Sequence, residues 1–208
     1  MKLEYKNTKN NKLARGTKKI NAFKFHPEVD HSEGYRQGVK AFCITNDNKT
    51  LISASGDDHI SKWDIASQVR ISKTKANIQN ITSLIYDSEK KFVIASGGEG
   101  VVRVFDYNDM RFLKKWQHPT LDTVNSLALA NMKQTLVLVI DNRIQPIDIR
   151  DRKQLRALTG HTGNVYSIYF SSVRDYLITC GEDSTLKKFK DNSGRIITDF
   201  SAKSTKPI

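Results

Sequence analysis

The sequence predicts an all-β fold of four tandem four-stranded units. Three observations carry this: a marker that returns every 42 residues, short runs of β-branched and aromatic residues bounded by turn residues, and inner runs that stay apolar on successive positions. The marker is an aromatic or aliphatic anchor at Trp63, Phe105, Ile147 and Phe189, with an acid six places earlier at Asp57, Glu99, Asp141 and Asp183. It is clearest in "LISASGDDHISKWDI", Leu51 to Ile65, and returns in "FVIASGGEGVVRVFDY", "TLVLVIDNRIQPIDI" and "YLITCGEDSTLKKFK".

Along the chain, residues 1–17 read as a basic, disordered tail, because eight Lys and Arg stand against Glu4 alone in the first 24 residues. That segment holds seven of the twelve net positive charges, with Lys9, Lys12, Arg15, Lys18 and Lys19 at its centre. Residues 18–27 read as a lone outer strand, since "KKINAFKFHPEVD" resembles the outer segment "RFLKKWQHPTLD" of the second unit. The four units then occupy about 39–76, 81–118, 124–160 and 165–200, within a domain running 18–203, and 204–208 is a short tail.

Each unit opens on an apolar run, at Val39, Ile81, Val124 or Val165. A polar turn, a second run, the acidic turn, a third run ending at the anchor and a more polar fourth segment follow. Second runs that are apolar on consecutive residues imply burial on both faces, as in sheets stacked face to face. Pro146 falls inside the third run of its unit, where its missing N–H should break a ladder bond and loosen that sheet.

Catalytic and metal-binding signatures are missing from this pattern. There is no HExxH, P-loop or nucleophile elbow, and "SGGEG" lacks the Lys-Ser/Thr that would make it a phosphate cradle. The five histidines have no metal-ligand spacing, and Cys43 and Cys180 lie far apart inside apolar runs as reduced core thiols. No enzyme, cofactor or metal is expected. No apolar run is long enough to span a bilayer and no secretory leader is legible, so the reading is a cytoplasmic or nuclear protein that does not bind membrane.

Trp63-Asp64, the weaker endings Phe105-Asp106 and Ile147-Asp148, and Gly160-His161 in "GHTGNV" resemble the WD-repeat family. Its repeat of about 40 to 45 residues carries a Gly-His near the start and a Trp-Asp at the end and forms one four-stranded blade of a β-propeller. The resemblance implies that Asp57, Glu99, Asp141 and Asp183 are turn acids. Each would hydrogen-bond a loop His, as His161 in the fourth unit, which reaches a Ser or Thr and then a Trp such as Trp63. Four units are fewer than the family's usual ring. The chain therefore reads as part of a larger ring, or as an open half that closes against another propeller or another copy of itself.

The resemblance implies a scaffold that binds other proteins. The basic tail adds RNA or another acidic surface as a partner, which favours an RNA-protein assembly of the ribosome-biogenesis type. Tyr35 and Arg36, in the loop before the first unit, are the partner-contact candidates by residue type. A substrate receptor of a cullin-RING ubiquitin ligase is the alternative, because "DNRIQPIDIR" keeps an Asp and the terminal Arg150 of that group's box. A ciliary or cytoskeletal scaffold is a further one.

Overall fold

The computed structural model describes residues 38–130, 134–150, 153–171, 176–190 and 196–201, the last as backbone only. The tail at 1–17, the lone strand at 18–27, Tyr35, Arg36 and residues 202–208 lie outside the described residues.

Among the described residues, fifteen strands form four antiparallel sheets in strict chain order. The first sheet comprises β1 (Val39–Ile44), β2 (Thr50–Ser55), β3 (His59–Asp64) and β4 (Arg70–Lys75). The second comprises β5 (Ser83–Asp87), β6 (Phe92–Ser96), β7 (Val101–Asp106) and β8 (Phe112–Gln117). The third holds β9 (Val124–Ala130), β10 (Thr135–Ile140) and β11 (Arg143–Asp148). The fourth is β12 (Val165–Ser171), β13 (Tyr176–Gly181), β14 (Thr185–Lys190) and β15 (Ile196–Ser201).

The sheets stack face to face, like blades of an open propeller. β1 lies against β5, β5 against β9 and β9 against β12, so the first strand of every unit is innermost. Three separate cores fill the gaps. Ile52, Ala54 and Ile60 meet Leu84, Val93 and Phe105 between the first and second sheets. Ile94 and Val102 meet Leu127, Leu138 and Ile147 between the second and third. Val137, Val139 and Ile144 meet Val165, Ile168 and Phe189 between the third and fourth.

Two-faced burial explains the apolar second runs. All six residues of β10 are buried, their side chains pointing alternately into the two cores that flank the sheet.

The third unit departs from the other three in two ways. Ile140 pairs with Arg143 across a two-residue turn, whereas Ser55 pairs with His59 across three residues, the last of them Asp58 with φ 65°. The b-to-c pairing of this unit is thereby shifted by one residue relative to its neighbours: Leu136 faces Ile147, where Leu51 faces Trp63 and Leu177 faces Phe189. Asp141 thus leads a shorter turn, with φ 51°, instead of standing where Asp57 and Asp183 stand.

The second departure is at Pro146. Among the described residues, the fourth segment of this unit forms no continuous ladder with β11 but isolated bridges, Ile144 with Leu158 and Ile147 with Gln154. These keep the register of the first sheet, where Ile60 pairs with Thr74 and Trp63 with Arg70. The pairs missing from that register include the one at Pro146, whose carbonyl accepts from the Leu155 N–H at 2.9 Å but which has no N–H to return. The adjacent Gln145 supplies a donor instead, its Nε2 reaching the Leu155 carbonyl at 2.7 Å and the Pro146 carbonyl at 3.0 Å.

Gln145→Ala should therefore lower stability by about 1 kcal/mol, the net worth of one such bond. In a Pro146→Val background, where the backbone donor returns, the same change should cost much less; urea unfolding of the four combinations measures the coupling.

Candidate functional site

The fourth sheet holds a buried polar chain. His161, whose side chain is shielded from solvent, lies between Asp183 in the turn after β13 and Thr179 on β13. Its Nδ1 is 3.0 and 2.9 Å from the two Asp183 carboxylate oxygens, and its Nε2 is 2.8 Å from Thr179 Oγ1. A carboxylate only accepts, so Nδ1 carries the proton, and in the neutral ring Nε2 accepts from the Thr179 hydroxyl.

Asp183 also accepts from the Thr185 hydroxyl at 2.8 Å, the Thr185 N–H at 3.2 Å and the Thr162 N–H at 3.1 Å. Burial alone would raise its carboxyl, but the bonds from Thr185, Thr162 and His161 outweigh that and hold it down at about 2. Gly181 is required beside this chain, because a Cβ there would lie 2.6 Å from the Asn164 carbonyl and 3.3 Å from His161 Nδ1. The chain stops at Thr179, since Phe189 stands where the first sheet has Trp63.

The first sheet carries the other half of the arrangement. Trp63 Nε1 donates to Ser53 Oγ at 2.8 Å, and Ser53 occupies the position of Thr179, opposite Phe42 as Thr179 is opposite Ile168. Asp57 takes its partners locally: the Ser55 hydroxyl, His59 Nδ1 at 3.3 Å and Lys73 Nζ at 3.4 Å. Burial works against its ionisation, yet Ser55, His59 and Lys73 together leave it below the usual carboxylate range. Its imidazole partner among the described residues comes from its own hairpin, not from the preceding loop.

The middle sheets replace this chemistry with hydrocarbon. Ala95 and Leu138 stand opposite Leu84 and Leu127, at the position of Ser53 and Thr179, with Phe105 and Ile147 for the Trp. Glu99 is exposed with φ 56°, and its contact is through its backbone carbonyl, 3.0 Å from Gln117 Nε2. Asp141 is exposed too, its carbonyl accepting from the Val165 N–H at 2.7 Å. Arg150 is engaged locally: its Nη2 lies 2.7 Å and its Nε 3.2 Å from the two Asp148 oxygens. Lys9, Lys12, Arg15, Lys18, Lys19, Tyr35 and Arg36 lie outside the described residues.

Lys62 was not singled out by sequence reasoning. It is buried on β3, and its Nζ donates to the carbonyls of Tyr107 at 2.6 Å and Asn108 at 3.3 Å while lying 4.1 Å from the Tyr107 ring centre. Burial lowers its pKa, and Asp106 and Asp109 oppose that shift. Tyr107 in turn donates to Thr50 Oγ1 at 2.9 Å, so this lysine latches the first sheet to the second. Inner strands are laced in the same direction: Thr82 donates to the Val124 carbonyl and Asn125 Nδ2 to the Val165 carbonyl at 3.1 Å. A lysine inside a strand pattern reads as solvated, and only the latch distance shows otherwise.

Every strong donor and acceptor of the Asp183 chain points at another part of the same unit. Burial raises the Cys43 thiol to about 12, so it stays protonated and weakly nucleophilic. Among the described residues no three His, Cys, Asp or Glu side chains converge as metal ligands, and no helix is long and apolar enough to cross a membrane.

A carboxyl held at about 2 in the fold, against an ordinary 3.8, stabilises the native state fully above about pH 4 and ceases to do so as pH falls through about 2. Wild-type stability should fall across that interval. Asp183→Asn should cost about 1–3 kcal/mol at neutral pH and flatten the acid limb without abolishing it, because Asp57 is depressed as well. Denaturant unfolding at stepped pH reads both effects.

The family model described as WD domain, G-beta repeat matches residues 28–64 and 152–190. Those are the first and fourth units, the two that keep Trp63 and His161. Among curated proteins, the chain is 24% identical over 172 residues to the mouse serine-threonine kinase receptor-associated protein, covering 81% of this chain and 48% of that one. It is 24% identical to a fission-yeast U3 small nucleolar RNA-associated protein 21 homolog, over 80% of this chain and 19% of the relative. To myosin heavy chain kinase C of Dictyostelium discoideum it is 25% identical over 64% of this chain and 17% of that one. The chain thus spans about half the length, or less, of these relatives. It carries WD-type repeats in the regions that the family model matches, and its four stacked antiparallel sheets and 42-residue step are consistent with blades of a partial WD propeller.

Proposed function

We propose that the chain is a non-catalytic scaffold that holds other proteins together, and that it works within an RNA-protein assembly of the ribosome-biogenesis type. The observation that carries the reading is the distribution of chemistry along the chain. Asp183, His161 and Trp63 are engaged in hydrogen bonds within their own sheets. Basic charge, by contrast, gathers in residues 1–24 of the sequence and on the outer strands β4 and β8, where Lys75, Lys114 and Lys115 are exposed.

Clustered lysine and arginine bind a phosphate backbone through counterion release, without a need for base-reading pockets. Similarity to a relative whose name associates it with a small nucleolar RNA supports the same reading. On this reading residues 1–17 grip RNA, and Tyr35, Arg36 and the loops between units meet protein partners.

Deleting residues 1–17 should weaken RNA co-purification. It should also flatten the slope of log affinity against log salt by about 0.7 for every basic residue that had been engaged on a single strand. Unchanged recovery and an unchanged slope would remove RNA from the account.

A further inference from the structure

Each internal gap between sheets is made of a forward face on one sheet and a rear face on the next, and corresponding positions build all three gaps. On the rear face, the residue opposite Ala95, Leu138 or Thr179 is Leu84, Leu127 or Ile168, exposed by 5%, 4% and 7%. The same position on the first sheet is Phe42, opposite Ser53, and it is 66% exposed, with Ile44 beside it also exposed. On the forward face, Ile60, Val102 and Ile144 are wholly or almost wholly buried. Their counterpart on the fourth sheet is Leu186, exposed, and Tyr169 on the same face is 65% exposed. Among the described residues, the first and fourth sheets therefore present the two halves of one interface, each without a facing sheet.

Polar groups repeat the match. Lys62 latches the first sheet to the carbonyls of Tyr107 and Asn108, next to Asp106. One, two and three repeats further on, its position holds Val104, Pro146 and Lys188, so among the four sheets only the first and the fourth carry the latch lysine. Among the described residues no sheet follows Lys188, and its Nζ lies 4.2 Å from the ring centre of Tyr176 on its own sheet. The acid corresponding to Asp106 on the first sheet is Asp64, one repeat earlier, on the edge that the forward face of a preceding sheet would meet.

We propose that two copies of this chain close on each other head to tail. The forward face of the fourth sheet of each copy seats on the rear face of the first sheet of the other, twice, giving a ring of eight sheets. Tyr169 and Leu186 cover Phe42 and Ile44, and Lys188 reaches the carbonyls after Asp64 as Lys62 reaches those after Asp106. Eight sheets fall within the usual range for such rings, and a heterologous contact repeated by a two-fold rotation closes without leaving a free edge.

The test is the mass of the purified chain by light scattering across a concentration series. The expected value is twice the 23.6 kDa of one chain. Phe42→Asp and Tyr169→Asp alter side chains that are exposed in the single chain, so each should halve the mass while leaving the far-ultraviolet circular dichroism unchanged. Lys188→Glu, a surface charge reversal, should shift dissociation to higher concentration by at least tenfold. A wild-type monomer overturns the proposal and is what closure by further blades on a longer polypeptide would give. Doubled mass retained in the folded Asp variants, or masses that climb beyond two chains, overturns it as well.

Discussion

Burial on both faces is the constraint from which the rest of this molecule follows. A four-stranded sheet with only one covered face would leave half of each second strand in water, and β10, apolar at nearly every position, would be untenable. Stacking resolves this by giving every gap two contributing sheets. Stability is then close to a sum of neighbour terms, as expected for a repeat array in which a unit touches only the units beside it. By the same rule the first and fourth sheets, among the described residues, have one face each that no further sheet covers.

Polar chemistry is subordinate to that stacking. Tryptophan to serine in the first sheet, and aspartate to histidine to threonine in the fourth, are two halves of one arrangement, and the middle sheets do without it. Position in the stack accounts for the difference. The second and third sheets are clamped between two cores and can be fixed by hydrocarbon packing, whereas the outer sheets have one internal core each and keep buried hydrogen bonds that set their loops. The family model matches those same two units.

Much of this was legible in the residues. The 42-residue step, the order of strands within a unit and the two-faced second runs all follow from spacing and side-chain type, because a period-2 pattern and turn residues leave few alternatives. The slip in the third unit was written there too: the apolar runs begin at Val39, Ile81, Val124 and Val165, steps of 42, 43 and 41, while the anchors keep 42 throughout. Taking Asp141 as the equal of Asp57 follows the anchors. The backbone instead follows the strand starts, and a shorter turn absorbs the difference. Pro146 announced a broken ladder bond, but not that Gln145 would lend its amide. The Lys62 latch could not be read from spacing, since a lysine's solvation depends on what the next sheet places above it.

The neighbour rule itself is open to a direct measurement, a pair of double-mutant cycles on unfolding free energy. Ile52 and Val93 are both fully buried in the core between the first and second sheets, while Leu177 belongs to the core between the third and fourth. Truncating Ile52 and Val93 to Ala together should show a coupling of about 0.5–3 kcal/mol, and truncating Ile52 with Leu177 should be additive within about 0.5 kcal/mol. Additivity in the first pair, or equal coupling in both, would contradict an array held together gap by gap.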